Sequence, residues 1–378
     1  MTLSQLIKNL VAFAGVAALA GGAYAGDAGK LVIDEKGVVE AEPWTICNVF
    51  DSNTLYENDS NPYIQKIALV GRYNGQWHHT DGEAGLESDG WEDRRWRLGT
   101  KIEFLKNFTF GINFNVEHDS DRFFENVEDM VIEWEAGDDF VIVVGKQKPR
   151  VTQEYSTSSK HLKTVERSQA VNQIIPNKLW GISAEKGLGA VTQELGIYQG
   201  GFDDDWAFPQ WDGGIAALSR TSYELSEVTT VRLDYFYGEN DPESNGVRDY
   251  DHIISLGSTN EFDGWDLTTD LIYGTGDSDL FSIVLMPSYD LTDKIELVGR
   301  YTFSTSEDDD GVRLQKRYES SAALNSRGDA YHAIYGGITY RICGDKLKLM
   351  TGVEYSTLSG GDADYDGLTY FAGVRTQF

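Results

Sequence analysis

Residues 108 to 116 read Phe-Thr-Phe-Gly-Ile-Asn-Phe-Asn-Val and alternate large apolar side chains with small or polar ones without interruption. Successive side chains of a β-strand point to opposite faces of the sheet. As a strand, this stretch therefore has an apolar face that includes Phe110 and Phe114 and a polar face that includes Asn113 and Asn115. One face is suited to a hydrocarbon environment and the other face to water.

The last residues of the chain repeat this alternation. Leu368, Tyr370, Ala372 and Val374 alternate with small or polar residues, and the chain ends on Phe378. An amphipathic terminal strand with an aromatic last residue is typical of an outer-membrane β-barrel.

The N-terminus has the features of an export signal. Lys8 precedes an apolar run from Leu10 to Ala20, and Ala23-Tyr24-Ala25 has the small-x-small form of a signal-peptidase site. The resulting division of the chain is a signal peptide at residues 1–25, a periplasmic leader segment at 26–61 and a transmembrane β-barrel at 62–378.

The rest of the chain lacks a membrane helix, because no other segment has the run of about 18 apolar residues that such a helix needs. A chain that spans a membrane without helices must form a closed barrel, since lipid cannot satisfy the open edge of a sheet. A secreted or periplasmic β-protein remains the alternative, because single barrel strands have a weak sequence pattern.

Period-two runs between turn residues predict an all-β fold, a 16-stranded antiparallel transmembrane β-barrel. The predicted strands lie near 63–75, 94–105, 107–117, 129–136, 139–146, 179–186, 190–199, 214–223, 228–237, 252–259, 265–273, 281–289, 294–304, 330–342, 346–356 and 368–378. Short periplasmic turns and long outside loops alternate between them. A barrel of this size leaves an aqueous channel.

Several stretches, among them RRWRLG at 94–99 and VGKQKP at 144–149, resemble the phosphate-selective porin O and P family. The other matching stretches are 157–160, 166–168, 328–337, 346–349 and 351–355. The resemblance implies a homotrimer of 16-stranded barrels, a third outside loop folded into the pore as a constriction, and basic side chains that guide anions. It also implies that Phe378 is an assembly signal.

The segment that matches the constriction loop, residues 146–178, is basic. It contains seven basic and two acidic residues, a balance of +5 in a chain whose formal net charge is −29. Its length without a periodic element indicates a functional loop. Some of its cations are also expected to pair with acids of the barrel wall and hold the loop. The candidate residues for pore constriction and anion binding are Lys146, Lys148, Arg150, Lys160, Lys163 and Arg167.

Strand parity predicts further basic side chains on the inner face of the barrel, because a charge on the lipid face is costly. These lumen-facing residues are Arg72, Arg95, Arg97, Lys101, Arg232, Arg300, Arg341, Lys348 and Arg375. Inner acids are comparably numerous, so the predicted pore wall is mixed. An anion preference then requires the cations to line up along one wall.

The predicted outside loops other than the third carry most of the negative charge. Acidic loops beside anionic lipopolysaccharide imply divalent cations, so Ca²⁺ or Mg²⁺ at these loops is the one cofactor considered. Residues 362–367 have the first half of a calcium-loop pattern, with Asp362, Asp364 and Asp366 as candidate ligands. Gly373 stands where the glutamate of such a loop would be, so the pattern is partial.

Cys47 and Cys343 both lie on predicted periplasmic segments, so we expect a disulfide that ties the leader to the base of the barrel. The six histidines are scattered, and the chain has no nucleotide-binding loop, zinc motif or redox Cys-x-x-Cys. We therefore do not expect an enzyme.

The sequence thus predicts an outer-membrane porin whose water-filled channel passes small hydrophilic solutes by diffusion, with a leaning to anions such as phosphate. The expected partners are outer-membrane lipids, lipopolysaccharide and further copies of the chain, and no nucleic acid. One alternative is a general diffusion porin that is non-selective or weakly favours cations. The other is a barrel whose acidic loops form a surface adhesion or cation-binding layer.

Overall fold

The structure, a computed structural model, describes residues 32–34, 37–39, 44–117, 123–201, 213–239, 249–360 and 364–378. Its main element is a closed barrel of antiparallel strands, in which successive strands pair along the chain. We number the barrel strands in chain order: β1 (Ile64–Asp81), β2 (Glu87–Phe104), β3 (Phe108–Val116), β4 (Phe124–Gly137), β5 (Phe140–Gln147), β6 (Leu179–Leu188), β7 (Val191–Gln199), β8 (Ile215–Ser226), β9 (Thr229–Gly238), β10 (His252–Phe262), β11 (Trp265–Thr275), β12 (Asp279–Thr292), β13 (Ile295–Thr305), β14 (Ala330–Arg341), β15 (Leu347–Ser359) and β16 (Tyr365–Gln377).

The barrel closes where the last strand meets the first. β16 pairs with β1 in a register that runs from Leu368 opposite Asp81 to Gln377 opposite Arg72. Along this seam no strand edge is left without a partner, as a sheet in lipid requires. The predicted closed barrel of sixteen antiparallel strands is confirmed.

The two ends of the barrel differ in their connections. At one end, which we call the turn end, two to five residues join each pair of strands. The opposite end, the loop end, carries the two longest connections, residues 148–178 and 306–329. We call these the third loop and the seventh loop. Two short helices lie in the third loop, α1 (Gln153–Ser156) and α2 (Gln169–Ile174).

The first hairpin is longer than its sequence indicates. Strand predictions at 63–75 and 94–105 leave a long loop between them, whereas β1 and β2 each have 18 residues and are joined by residues 82–86 alone. The pairing continues outward through Trp77 opposite Trp91 and His79 opposite Asp89. Apart from the Trp77–Trp91 pair, these outer residues are polar or small on both faces, so the hairpin there lacks the alternation that marks a strand against lipid.

Two bulges change which side chains face the interior. Asn74 pairs with Arg95 and Gly75 with Asp93, so Arg94 is an extra residue in β2. Likewise Asn113 pairs with Asp129 and Phe114 with Val127, which leaves Glu128 as an extra residue in β4. A bulge puts two residues opposite one and redirects side chains.

The outer surface is apolar. On β10, Ile254 and Leu256 are exposed, while Ile253 and Ser255, which alternate with them, are buried. Near the turn end aromatic rings stack across strands, for example Phe262 on Trp265 with 4.2 Å between ring centroids. An apolar outer face with an aromatic rim is the arrangement that a bilayer requires. In the part of the chain that the structure describes, no helix is both long and apolar enough to cross a membrane.

The leader extends the seam between β16 and β1. A short strand, Thr54–Glu57, pairs with the part of β1 that lies beyond the end of β16. A 3₁₀ helix, Ile46–Asp51, precedes it and carries Cys47, which forms a disulfide with Cys343 at a Cα–Cα distance of 5.4 Å. The leader is therefore attached both to β1 and to the turn between β14 and β15. Two further strands, Val32–Asp34 and Gly37–Val39, pair with each other.

Candidate channel and constriction

A cavity of about 1160 Å³ runs along one side of the barrel interior. Inner side chains of β1 to β7 form one wall of it, and the third and seventh loops form the other. The opposite side of the barrel is filled by the loops themselves. The cavity is thus the space that the folded loops leave open inside the barrel.

The third loop lies inside the barrel because it has an apolar side of its own. Val151, Val171 and Ile174 are buried in one cluster with wall residues such as Ile272 and Leu280. Gly274 has no side chain at the place where Ile174 packs, and a Cβ there would collide with it. This packing fixes the apolar side of the loop against the inner face of the barrel wall, largely on β8 to β15.

Side-chain caps define the two short helices of the loop. Thr152 Oγ1 accepts a hydrogen bond from the Tyr155 amide at 3.2 Å, and Ser168 Oγ accepts one from the Val171 amide at 3.3 Å. The Glu154 carboxylate accepts from both the amide and the hydroxyl of Ser168. These bonds give the loop a fixed internal structure, as helix caps do.

Buried ion pairs attach the loop to the far wall. Arg300 on β13 contacts Glu154 of the loop at 3.1 Å and Glu354 of β15 at 2.8 Å. Lys163 of the loop contacts Asp266 at 2.5 Å and Glu296 at 3.3 Å. Arg300 thus lies on the inner face, and Lys163 pairs with acids of the wall, as expected for some cations of the loop; neither residue lines the cavity.

On the near side, Glu166 of the loop contacts two arginines of β2. Its carboxylate lies 2.6 Å from Arg94 Nε and 3.9 Å from Arg95 Nη2. Strand parity predicted that Arg95 faces the interior but did not predict this for Arg94. The bulge that turns Arg94 inward has no recognisable pattern in the sequence.

The seventh loop also folds inward, which the sequence did not reveal. Tyr318 donates to Glu354 at 2.8 Å, and Glu319 accepts from Tyr331 at 2.9 Å and from Ser356 at 2.6 Å. The one available sign was the basic run at 313–317, directly after the acids at 307–310. The arginines and the lysine of that run line the cavity.

The lining of the cavity is rich in positive charge. In the described part of the chain, twelve basic side chains and six acidic ones line it. The basic ones are Arg72, Arg94, Arg95, Arg97, Lys146, Lys148, Arg150, Arg167, Lys178, Arg313, Lys316 and Arg317. The acidic ones are Glu92, Glu128, Asp129, Glu133, Glu185 and Glu194.

Most of the acids on the β4 to β7 wall are paired with cations of the third loop. Lys178 contacts Glu128 at 2.7 Å and Asp129 at 2.6 Å. Arg150 contacts Glu185 at 2.7 Å and Glu194 at 2.8 Å. These carboxylates are therefore largely compensated.

Three cations of the lining have only neutral hydrogen-bond partners among the described residues. Arg72 donates to the Ser159 hydroxyl. Lys148 donates to the carbonyls of Tyr155 at 2.6 Å and Ser156 at 3.2 Å. Arg167 donates to the carbonyls of Glu154 and Thr157 and lies over the Tyr155 ring. Their charges are thus not cancelled by carboxylates in direct contact.

The remaining predicted basic residues lie elsewhere. Arg232 and Arg375 are buried on the inner face beneath the loops, paired with Asp234 and hydrogen-bonded to Gln76 respectively. Arg341 pairs with Asp290 and Glu296, and Lys101 pairs with Glu103 at an exposed position. Lys348 contacts Asp345 in the turn that follows β14. Strand parity therefore predicts that a side chain faces the interior of the barrel, but it does not predict whether that side chain lines the open cavity.

Lys160 lies at the turn end rather than in the main cavity. It lines a separate cleft of about 230 Å³ together with residues of the leader, Lys346 and Phe378. Phe378 itself packs over Gly71, and its backbone exchanges two hydrogen bonds with that residue.

The described residues of the partial calcium pattern do not form a metal site. Asp362 lies outside the described residues, and Asp364 and Asp366 are exposed. Among the residues that the structure describes, no three histidine, cysteine or acidic side chains are grouped so that they could hold a metal ion.

The family assignment follows from a comparison with family models. The model of the phosphate-selective porin O and P family matches residues 68–257, which include most of β1, all of β2 to β9 and the third loop. The chain belongs to this family. It is therefore an outer-membrane channel protein of the porin type, in accord with the resemblance found in its sequence.

Solved porin structures share the fold of this porin. The anion-selective porin from Comamonas acidovorans is 15% identical, with a TM-score of 0.57 over 82% of this chain and 99% of the other. OmpF of Salmonella typhi, solved with daunomycin, is 13% identical, with a TM-score of 0.58 over 85% of this chain and 100% of the other.

A trimer form of OmpT from Vibrio cholerae is 11% identical, with a TM-score of 0.52 over 82% of this chain and 99% of the other. At such identities these likenesses concern the fold alone. A search of curated proteins found no match to the chain.

Proposed function

We propose that this porin passes small hydrophilic solutes across the outer membrane by diffusion and favours anions such as phosphate. The observation that carries the proposal is the excess of basic side chains along the cavity, three of which lack a carboxylate partner among the described residues. The proposal places the turn end, with the leader, in the periplasm. Cleavage of a signal peptide after Ala25 is part of the same proposal.

The narrow passage gives these cations more weight than the acids of the outer loops. Charges act more strongly where water is scarce, because the effective dielectric constant is lower there. Physiological salt screens exposed charges over about 8 Å, so acids at the wide mouth act little on an ion already inside. The formal net charge of −29 is therefore a poor guide to the selectivity of the channel.

The lining cations also follow the passage. Arg313, Lys316 and Arg317 lie in the seventh loop, Arg94 and Arg95 lie on β2 beside it, and Arg72 lies on β1. An anion inside the cavity would therefore meet basic side chains from the wall and from the loops. Arginine guanidinium groups bind the oxygens of phosphate in a bidentate manner, which suits a phosphate-like solute.

The second candidate is a general diffusion porin that weakly favours cations. It is favoured by the acids of the lining and by the exposed acidic run at 307–309. A barrel that serves adhesion through its acidic loops would need no continuous basic passage, so the lining argues against that alternative.

The test is a reversal-potential measurement on single channels in a potassium chloride gradient. We expect chloride to be favoured over potassium. The double variant Arg72→Gln and Lys148→Gln should move the reversal potential toward zero, because it removes two charges that no carboxylate compensates. Lys294→Gln, on an exposed turn, removes the same kind of charge away from the passage and should change nothing. A preference for potassium in the unaltered porin would favour the general-porin alternative.

Assembly as a homotrimer is proposed from the family resemblance and from the trimer form of a structural neighbour. Chemical cross-linking of the detergent-solubilised porin tests it. We expect the largest cross-linked product to contain three chains. If no product larger than a single chain forms, the trimer is contradicted.

A further inference from the structure

The tip of the third loop, residues 158–163, contacts the turn between β14 and β15. His161 Nδ1 lies 2.8 Å from Asp345 Oδ2, at the end of the barrel opposite to the loop's own attachment. Asp345 Oδ1 lies 2.9 Å from Lys348 Nζ, which also donates to the Leu162 carbonyl at 3.3 Å. Asp345 is thus at the centre of a small group of contacts that reaches two successive residues of the loop tip.

The same turn is attached to the leader on its other side. Cys343, two residues before Asp345, forms the disulfide with Cys47. Lys346, the next residue after Asp345, forms an ion pair with Asp51 of the leader. Gln377 of β16 donates to the Asp345 carbonyl at 3.1 Å. The position of Asp345 therefore depends on the leader as well as on the barrel.

We propose that Asp345 is a positioning residue for the tip of the third loop, residues 158–163. We further propose that the Cys47–Cys343 disulfide holds in place the turn that carries Asp345. On this view the leader helps to set the width of the passage near the turn end. The inference rests on the proposed channel function, since its effect is on the path of the permeating ion.

The contacts between Asp345 and the tip are suited to such a role because each one contributes little stability by itself. The side chains of His161 and Asp345 are 57% and 37% exposed, so solvent screens their attraction. Burial opposes the ionisation of Asp345, but Lys348 and His161 outweigh it and hold the pKa of that carboxyl below its usual value. The tip can therefore open locally without unfolding of the barrel.

Two other attachments of the tip would remain after loss of Asp345. Arg72 donates to Ser159, and Lys163 pairs with Asp266. Loss of the Asp345 contacts should therefore increase the motion of the tip but leave the loop inside the barrel. The expected effect is on fluctuations of the channel, not on its assembly.

Single-channel recordings test the proposal with three variants. Asp345→Asn keeps the disulfide and weakens the contacts to His161 and Lys348, so it should raise the rate of transitions between current levels severalfold. Cys47→Ser with Cys343→Ser should do the same. If both changes act through the turn, the variant that combines Asp345→Asn with the two cysteine substitutions should raise the transition rate by less than the product of the two separate increases. Asp263→Asn, in another turn at the same end, is the matched control.

Limited trypsin digestion provides a readout that does not depend on conduction. Cleavage after Lys160 should be severalfold faster in Asp345→Asn and in the cysteine double variant than in the control, because a looser tip is more accessible. Unchanged cleavage and unchanged current fluctuations in Asp345→Asn would overturn the proposal. A potassium preference in the same recordings would count against the proposed anion selectivity alone, so the two failures are distinguishable.

Discussion

Lys160 and Lys163 stand three residues apart in the third loop, yet the structure gives them different surroundings. Lys160 lines the cleft at the turn end and has no carboxylate in contact among the described residues. Lys163 lies between Asp266 and Glu296 and also donates to Ser288 at 2.6 Å. The sequence predicted both as anion-binding residues, because their difference arises only from where the wall places its acids.

The two lysines should respond differently to the same substitution. Lys163→Gln leaves two acidic side chains without their cation, and we expect it to lower the stability of the barrel by about 2 kcal/mol, the usual loss for charge-assisted hydrogen bonds. Lys160→Gln should leave the stability unchanged and reduce anion preference. Thermal unfolding followed by circular dichroism checks the first effect and reversal potentials check the second. Equal stabilities of the two variants would contradict this assignment.

Arg300 offers a stronger test of the buried anchors. It lies between Glu154 and Glu354, and all three side chains are 2% exposed. Removal of one partner from a buried ionic group costs about 3–5 kcal/mol, because the remaining charges stay buried without compensation. Arg300→Gln should therefore destabilise the barrel and release the third loop, which increased trypsin cleavage in residues 148–178 would report. A fully stable, protease-resistant Arg300→Gln variant would show that the loop is held mainly by its apolar side.

Parity was reliable for the side chains whose strands are regular. Arg97 and Asn115 lie opposite each other and both line the cavity, as the alternation around 96–102 and 108–116 predicts. Arg94 and Glu128 were missed because each is the extra residue of a bulge. A bulge depends on the partner strand, so the sequence of one strand does not reveal it.

Among the strands and loops, the regular alternation against lipid made the strand count predictable. The failures included the outer part of the first hairpin, the inward fold of the seventh loop and the long loop expected between β11 and β12, where residues 276–278 alone join the strands. These segments are polar, and a polar sequence outside the bilayer does not distinguish a strand from a loop or from a lining segment. The third loop was predictable because its basic charge contrasts with the acidic chain and because it matches the family pattern.

The leader strand Thr54–Glu57 should stabilise the seam of the barrel. It covers the edge of β1 beyond the end of β16, and backbone groups left without partners at such an edge are costly. Replacement of these four residues by Gly-Ser-Gly-Ser preserves the length and the disulfide but weakens the pairing. We expect a lower unfolding temperature in detergent. The same change at residues 307–310 of the seventh loop, of which 307–309 are exposed, is a control for composition, and equal losses in both variants would contradict a specific role of the strand.

The closed barrel as a unit should resist denaturation, because every strand is paired on both sides. We expect the mature porin in detergent to show a β-type circular dichroism spectrum and to migrate anomalously on a gel until it is boiled. Boiling should produce a single change in mobility. A helix-dominated spectrum, or migration that boiling does not alter, would contradict the barrel.

The chain carries a formal net charge of −29, whereas basic residues outnumber acidic ones two to one along its channel. The two distributions predict different responses to salt. Charges inside the passage are poorly screened, but those at the mouth lose influence beyond about 8 Å at physiological salt and regain it over about 30 Å at 0.01 M.

Neutralisation of four exposed mouth acids, in Glu87→Gln, Asp89→Asn, Glu307→Gln and Asp309→Asn, should therefore leave the anion preference unchanged at 0.15 M salt and increase it at 0.01 M. Reversal potentials at the two concentrations measure this. The Arg72→Gln and Lys148→Gln variant should lose preference at both, because its charges act where the ion passes. If the mouth acids controlled selectivity at 0.15 M as strongly as those two cations, the charge of the surface rather than that of the constriction would determine what this porin passes.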